Sequence, residues 1–289
     1  MAGAYDAAVA GGVEMMGLLP MKANRMGKDE KGPRFQTRYP AGLIPQGVSA
    51  ELIASRFEIS RDQLDEYSLR SHLLAQSAIT EGSKLQDIIQ IENQGRVVQK
   101  DEGIRPNSTL EALLSLRPAF YTPEMAERFP EISWCLTAGN SSQISDGAGA
   151  ALIASEAFAK ENGLIVKGYL TSFSVVGDDL IMMLTGVIPA TQKLLKRAGL
   201  EIKDINLFEV NEAFASVVLA YQKKLDLPLD SLNVSGGAIA YGHPVGASGV
   251  RLFAQLIDDL TRRGGGRGVV TMCESGGMAN ATLVEALGK

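Results

Sequence analysis

Residues 167–289 switch between the two-residue period of a strand and the three-to-four-residue period of a helix, which leaves few architectures open. The pattern predicts a strand from Lys167 to Val175, a helix from Ala190 to Ala198 and a strand from Ile205 to Val210. A helix from Glu212 to Leu225 follows, with Phe214, Val217, Val218, Tyr221 and Leu225 at helical spacing. A short strand at 232–235 leads into a glycine-rich segment. The next helix carries Leu252, Phe253, Leu256, Ile257 and Leu260 on one face and is closed by Arg262, Arg263 and Gly264. Strands at 268–273 and 280–286 end the chain. This order predicts an α/β domain in which helices cover a sheet, with the last two strands forming one antiparallel edge.

The first half reads differently. Up to about residue 145 it is rich in charge, Pro and Gly, with one clear helix from Arg61 to Glu81 that lines up Leu64, Tyr67, Leu74 and Ala78. We read it as a loop-rich insertion, followed by a core strand at Asp146–Ile153. A length of 289 residues and 45% hydrophobic content allow about two domains.

Composition removes several functions. A net charge of −5 argues against nucleic-acid binding, which leaves a basic footprint. Lys22, Arg25, Lys28, Lys31, Arg34 and Arg38 cluster in one poorly periodic stretch; it is either a solvated loop or an attractor for the phosphates of an anionic nucleotide. Two cysteines without paired spacing make no disulfide framework, and two scattered histidines make no metal site. With no bilayer-length apolar run and no export signal, the expectation is a cytoplasmic protein without a membrane partner.

Three segments carry candidate chemistry. Residues 236–249 pack five glycines around His243, where the main chain must turn sharply or approach a ligand closely. Cys273 follows the apolar run Gly268–Met272 and precedes Glu274-Ser275-Gly276-Gly277, so its thiol stands at a strand end beside N–H groups able to hold an oxyanion. Asn211, after the strand 205–210, is placed to act as a helix N-cap. Each also has a plain structural reading, as turn, core packing or cap. Cys135 reads as core packing.

In this order, Asn211-Glu212-Ala213-Phe214, Gly242-His243-Pro244 and Cys273-Glu274-Ser275-Gly276-Gly277 resemble the thiolase family of coenzyme A-dependent acyltransferases. Ala10-Gly11-Gly12-Val13-Glu14, Ser71-His72, Leu116-Arg117-Pro118-Ala119-Phe120, Thr137-Ala138-Gly139-Asn140 and Asp146-Gly147-Ala148 extend the likeness along the whole length. The resemblance implies a thiolase-like layered α-β-α fold with an incomplete N-terminal half: a core remnant at 1–13, the insertion at 14–144, a core strand and helix at 145–164 and the C-terminal thiolase domain at 165–289. Thiolases carry a nucleophilic cysteine shortly upstream of the Ala-Gly-Gly-Val-Glu stretch, and this sequence opens past that point. The implied chain is therefore N-terminally truncated and inactive by itself.

The resemblance also implies roles. His243 activates the upstream thiol and helps bind the thioester oxygen, Cys273 exchanges a proton at the α carbon, and Asn211 holds a water in the oxyanion pocket, to which the Ser275 N–H contributes. Arg105 contacts the coenzyme A nucleotide, while Ala138, Ser142, Ala213 and Phe214 line the pantetheine channel. Coenzyme A enters as substrate, no cofactor or metal is bound, and the expected assembly is a homodimer or homotetramer acting on acyl-CoA. The reaction is thiolysis of 3-oxoacyl-CoA to acetyl-CoA and a shortened acyl-CoA, or the reverse Claisen condensation.

Two departures qualify that transfer. Ser275 stands where thiolases usually have glycine, and a Cβ there penalises a positive φ. Pro45-Gln46-Gly47 replaces the His-Met-Gly of acetoacetyl-specific thiolases, which favours bulkier substrates. The competing readings are a non-catalytic coenzyme A-binding or subunit-like homologue, and a decarboxylating condensing enzyme of ketoacyl-synthase type. The latter uses two histidines, and the sequence offers His72, inside the predicted 61–81 helix, no partner.

Overall fold

The computed structural model describes residues 4–28, 31–81 and 88–288. Residues 1–3 of the expected core remnant, 29–30 and 82–87 of the expected insertion, and Lys289 lie outside them. Strands β1 (Ala7–Met15) and β4 (Asp146–Ala154) pair antiparallel as an isolated ribbon, in the register Val9↔Leu152, Gly11↔Ala150, Val13↔Ala148. A short hairpin, β2 (Ile91–Asn93) and β3 (Arg96–Val98), lies in the segment between them.

The main sheet contains β5 (Gly168–Gly177), β6 (Leu207–Val210), β7 (Gly265–Glu274) and β8 (Met278–Leu287) in the order β5-β8-β7-β6. β6 and β7 run parallel, while β8 is antiparallel to both β7 and β5. The expectation of one antiparallel edge is thereby corrected, because β8 sits inside the sheet. Its buried residues explain the position: Ala279, Ala281, Leu283, Val284 and Ala286 leave both faces apolar, as a doubly covered strand requires. The expected strand at 232–235 shrinks to isolated parallel bridges, Phe208↔Leu232 and Val234↔Gly236.

Helices cover both faces. On one side the helix Val245–Arg262 packs Leu252, Leu256 and Leu260 against Leu207, Val270, Val284 and Ala286. Its other side meets the ribbon, so that helix is sandwiched between two β layers. Opposite lie the helices Val187–Ala198, ended by Gly199 in the left-handed conformation, and Ala215–Leu225. They join the larger core with Leu52, Ile53 and Leu64 from the first half.

Those residues sit on two helices. Gln46–Arg56, which the loop-rich expectation overlooks, is buried without break from Gly47 to Ala54, polar Ser49 and Glu51 included, and a helix buried on all sides shows no helical period to read. The other, Arg61–Thr80, starts at a capping box in which Ser60 and Gln63 satisfy each other's backbone N–H groups.

Candidate active site

β6 ends at the C-terminal edge of the sheet, and Asn211 extends it by one residue through its N–H to Thr271 O at 3.0 Å. Asn211 does not cap the following helix, contrary to expectation. Residues beyond it stay extended, held by the bridge Ser141↔Phe214 and by Ser142 N to Ala213 O at 3.0 Å. The helix therefore starts only at Ala215, with Phe214 in the cap position. Freed from capping, the Asn211 side chain is buried and places Nδ2 3.3 Å from His243 Nε2, while Oδ1 has no protein partner.

His243 owes its position to the glycines before it. Gly242 has φ of 89°, and a Cβ there would lie 1.9 Å from Ser145 Oγ, so only glycine fits. The His243 N–H donates to Gln143 O at 3.0 Å. Gln143 in turn donates through Nε2 to Gly103 O and Ile239 O, both at 2.8 Å, which ties the 103–105 loop to the histidine segment. His243 Nδ1 lies 2.6 Å from Ser248 Oγ. Burial, followed by the charge of Arg251, pushes the imidazole down to about 4. At neutral pH it is an uncharged base.

Between Asn211 and the next helix stands Glu212, which the motif reading passes over. Its oxygens accept from Tyr67 Oη at 2.7 Å, Ser71 Oγ at 2.8 Å, the Ile239 N–H at 3.0 Å and Asn233 Nδ2 at 3.1 Å. Asn233 also clamps Val210, accepting from its N–H and donating to its carbonyl, each at 2.8 Å. Glu212 thus bolts the helix Arg61–Thr80 to both the Asn211 and the His243 segments. The one signal in the sequence is a carboxylate at the end of a strand otherwise destined for burial.

Cys273 lies near the end of β7, opposite Ala279, two residues beyond the carbonyl that receives Asn211. Its thiol is buried, and that burial pushes it up to about 12. Ser275 is exposed and is not among the positive-φ residues; Gly276 at 82° and Gly277 at 81° carry the turn instead. Serine is therefore accepted there without the penalty that the sequence raises.

The remaining candidates form two groups. Ser142, Ala213 and Phe214 meet through the extended pairing above, and the turn that begins at Ala138 joins them through Ser141 Oγ to Thr137 O at 2.7 Å. The Phe214 ring stands edge-on to Phe120, with centroids 5.6 Å apart. Arg105 is exposed on the loop, and its N–H donates to His72 Nδ1 at 3.2 Å. That contact is a backbone N–H from a separate segment and not the second histidine that a ketoacyl-synthase type would need. Burial and the Arg105 charge lower His72 to about 4.

Cys135 is held elsewhere. Its N–H donates to Glu51 Oε2 at 2.8 Å, and burial, then Glu51, pushes its thiol up to about 12. A cavity of about 610 Å³ at the opposite end of β6, lined by Ile202, Asn206, Phe208 and Leu227 among others, contains none of the candidates. Its polar lining is Lys203, Asn206, Asp226, Asp230, Ser231 and Arg263, and it holds no histidine or cysteine to serve as base or nucleophile. Among the described residues no cluster suits a metal ion, and no helix is long and apolar enough to cross a membrane.

Known proteins show the same arrangement of halves. The family model described as "Thiolase, N-terminal domain" matches residues 1–157, and "Thiolase, C-terminal domain" matches 164–286. A steroid 3-ketoacyl-CoA thiolase of Mycobacterium tuberculosis is 40% identical, over 99% of this chain and 70% of its own length. The acetyl-CoA acetyltransferase of Shinella zoogloeoides is 38% identical, over 96% and 72%. The solved structure of human mitochondrial 3-ketoacyl-CoA thiolase in complex with CoA superposes with a TM-score of 0.83 at 35% identity, over 97% of this chain and 71% of that one. The dimeric peroxisomal thiolase of Saccharomyces cerevisiae gives 0.85 at 35%, over 97% and 69%. With both halves matched in sequence and in fold, the chain belongs to the thiolase family, a family of acyltransferase enzymes.

Proposed function

We propose that Asn211, His243 and Cys273 form the acid/base and oxyanion side of a site for thiolysis of 3-oxoacyl-CoA to acetyl-CoA and a shortened acyl-CoA, or the reverse Claisen condensation. The observation that carries this reading is the 3.3 Å approach of Asn211 Nδ2 to His243 Nε2, which joins two motifs that the sequence keeps 32 positions apart. A neutral imidazole takes the proton of an attacking thiol, and the resulting thiolate adds to the 3-keto carbon. When the carbon–carbon bond breaks, its electron pair remains on the departing two-carbon thioester as an enolate. Cys273, kept protonated by burial, donates the proton that turns this enolate into acetyl-CoA. Coenzyme A thiol then displaces the acyl group from the nucleophilic sulfur. Asn211 with its water, the His243 ring and the Ser275 N–H hold the negative oxygen during these steps.

Coenzyme A is the substrate in this reading. Arg105 meets its nucleotide phosphates, and Ala138, Ser142, Ala213 and Phe214 border the pantetheine arm. We place the C-terminal domain at 165–289, with 1–13 and 145–164 as core pieces around a 14–144 insertion. We further propose a homodimer or homotetramer in the cytoplasm; the free thiols of Cys135 and Cys273 favour a reducing compartment.

One observation favours a second reading for the 289-residue chain alone. Both of its thiols are buried, and burial pushes each up to about 12, which disfavours the thiolate that an acyl-accepting nucleophile needs. By itself the chain then binds coenzyme A without turnover. The test is thiolysis of several 3-oxoacyl-CoA esters, first by this chain and then by one extended with a cysteine-bearing thiolase segment. Expected are saturable coenzyme A binding without turnover in the first and turnover abolished by His243→Ala in the second. Turnover by the 289 residues alone removes the second reading, and silence from both forms removes the first.

A further inference from the structure

The two polar neighbours of the His243 ring fix which nitrogen carries its proton. Asn211 Nδ2 lies 3.3 Å from Nε2, and an amide NH₂ only donates, so Nε2 accepts. On the other side Ser248 Oγ lies 2.6 Å from Nδ1 and 2.9 Å from Pro244 O. A carbonyl only accepts, and serine has a single hydroxyl proton. When that proton goes to Pro244 O, Ser248 Oγ turns a lone pair toward Nδ1, which then carries hydrogen. Both contacts give the same answer.

We propose that Ser248 is a positioning residue that holds His243 in its Nδ1–H tautomer, so that the Nε2 lone pair, which rests on the Asn211 amide, takes up the thiol proton when that amide gives it up. The tautomer follows from the local contacts, whereas its use in proton transfer rests on the thiolase reading. Local structure makes the arrangement stiff. Pro244 occupies the N-cap of the helix Val245–Arg262, and its carbonyl also receives the Ala247 and Ser248 N–H groups, both at 2.9 Å. Ser248 is fully buried in the first turn, so bulk water does not compete for Nδ1. The His243 N–H is anchored on Gln143 O, which fixes the ring from behind. A hydroxyl that returns its proton to the helix start suits this role, because it accepts while staying neutral and leaves the basicity of Nε2 to the surroundings.

The competing arrangement has the Ser248 hydroxyl donating to Nδ1 and Nε2–H donating to a turned-over Asn211 amide, which makes Nε2 a donor. Nuclear magnetic resonance separates the two. In the 289-residue chain labelled with ¹⁵N-histidine, long-range ¹H–¹⁵N correlation at pH 7 reports only His72 and His243, and His72→Gln identifies which is which. The expected His243 pattern has Nε2 resonating as an unprotonated nitrogen and Nδ1 as a protonated one. Ser248→Ala removes the acceptor, and the single-tautomer pattern is expected to be lost; Ser248→Thr, which keeps the hydroxyl, is expected to restore it. A protonated Nε2 in the parent chain, or an unchanged pattern in a folded Ser248→Ala variant, overturns the proposal. If the alanine variant does not fold, the parent and threonine spectra decide. Absence of thiolysis in every form of the protein, with the tautomer intact, instead strikes the proposed reaction and leaves the assignment standing.

Discussion

The four-stranded sheet and the β1–β4 ribbon flank the same helix, Val245–Arg262, and meet it in opposite ways. The sheet side is a seam of side chains, with Leu252, Leu256 and Leu260 packed on Leu207, Val270 and Val284. The ribbon side is a seam of glycines. A Cβ on Gly12 would fall 1.8 Å from Gly246 O, one on Gly147 would fall 2.7 Å from Pro244 Cγ, and one on Gly149 would fall 3.3 Å from Val250 Cβ. The first seam supplies burial energy. The second sets a distance, and it does so at the helix start, where His243, Pro244 and Ser248 lie. Stability and site geometry are thus drawn from different sides of one helix.

The largest test of this division is Leu256→Ala, expected to cost about 2–5 kcal/mol in urea unfolding through lost burial and a residual cavity. A cost below about 1 kcal/mol would show that the sheet seam does not carry the stability. Next is pH. The folded pKa of His243, about 4, lies below the ordinary 6.5, so on acidification the unfolded chain takes up the proton first. Its contribution is intact above 6.5 and is lost progressively as pH falls to about 4, reaching about 3 kcal/mol. The difference in unfolding free energy between parent and His243→Gln should shrink over that window; a constant difference would mean the imidazole is not buried neutral.

Much of this layout is legible in the sequence, because alternation of period marks strands and helices wherever one face is buried. Partnership across the chain is not. The sequence names β7 and β8 as neighbours but cannot say that β5 takes the far edge of β8. Asn211 reads as a cap because local chemistry permits it, and only the distant Ser141–Phe214 pairing delays the helix. Glu212 stays hidden because Ser71 and Tyr67, which satisfy it, lie 141 and 145 positions away. Helix Gln46–Arg56 escapes for the opposite reason: buried on every side, it has no face to give it a period.

Smaller effects probe the glycine seam. Gly12→Ala is expected to cost about 1–3 kcal/mol, since backbone must move, and to shift the His243 resonances. Gly149→Ala meets nothing nearer than the Val250 side chain at 3.3 Å and should cost less than Gly12→Ala, with His243 unmoved. Equal effects at both positions would mean that the ribbon does not set the helix start. Val13→Ser, on the open ribbon face where Val13 is 65% exposed, should fall within about 0.5 kcal/mol of the parent by the same unfolding measurement.

A joint made of peptide groups alone has no rotamer to relax and no volume to trade. Substitutions elsewhere in the interior are absorbed by neighbours that repack, but Gly12 against Gly246 offers nothing that repacks. Divergence of this protein at that joint therefore requires the ribbon to travel as one body, carrying Glu14 and its grip on the Gly246 N–H along with it.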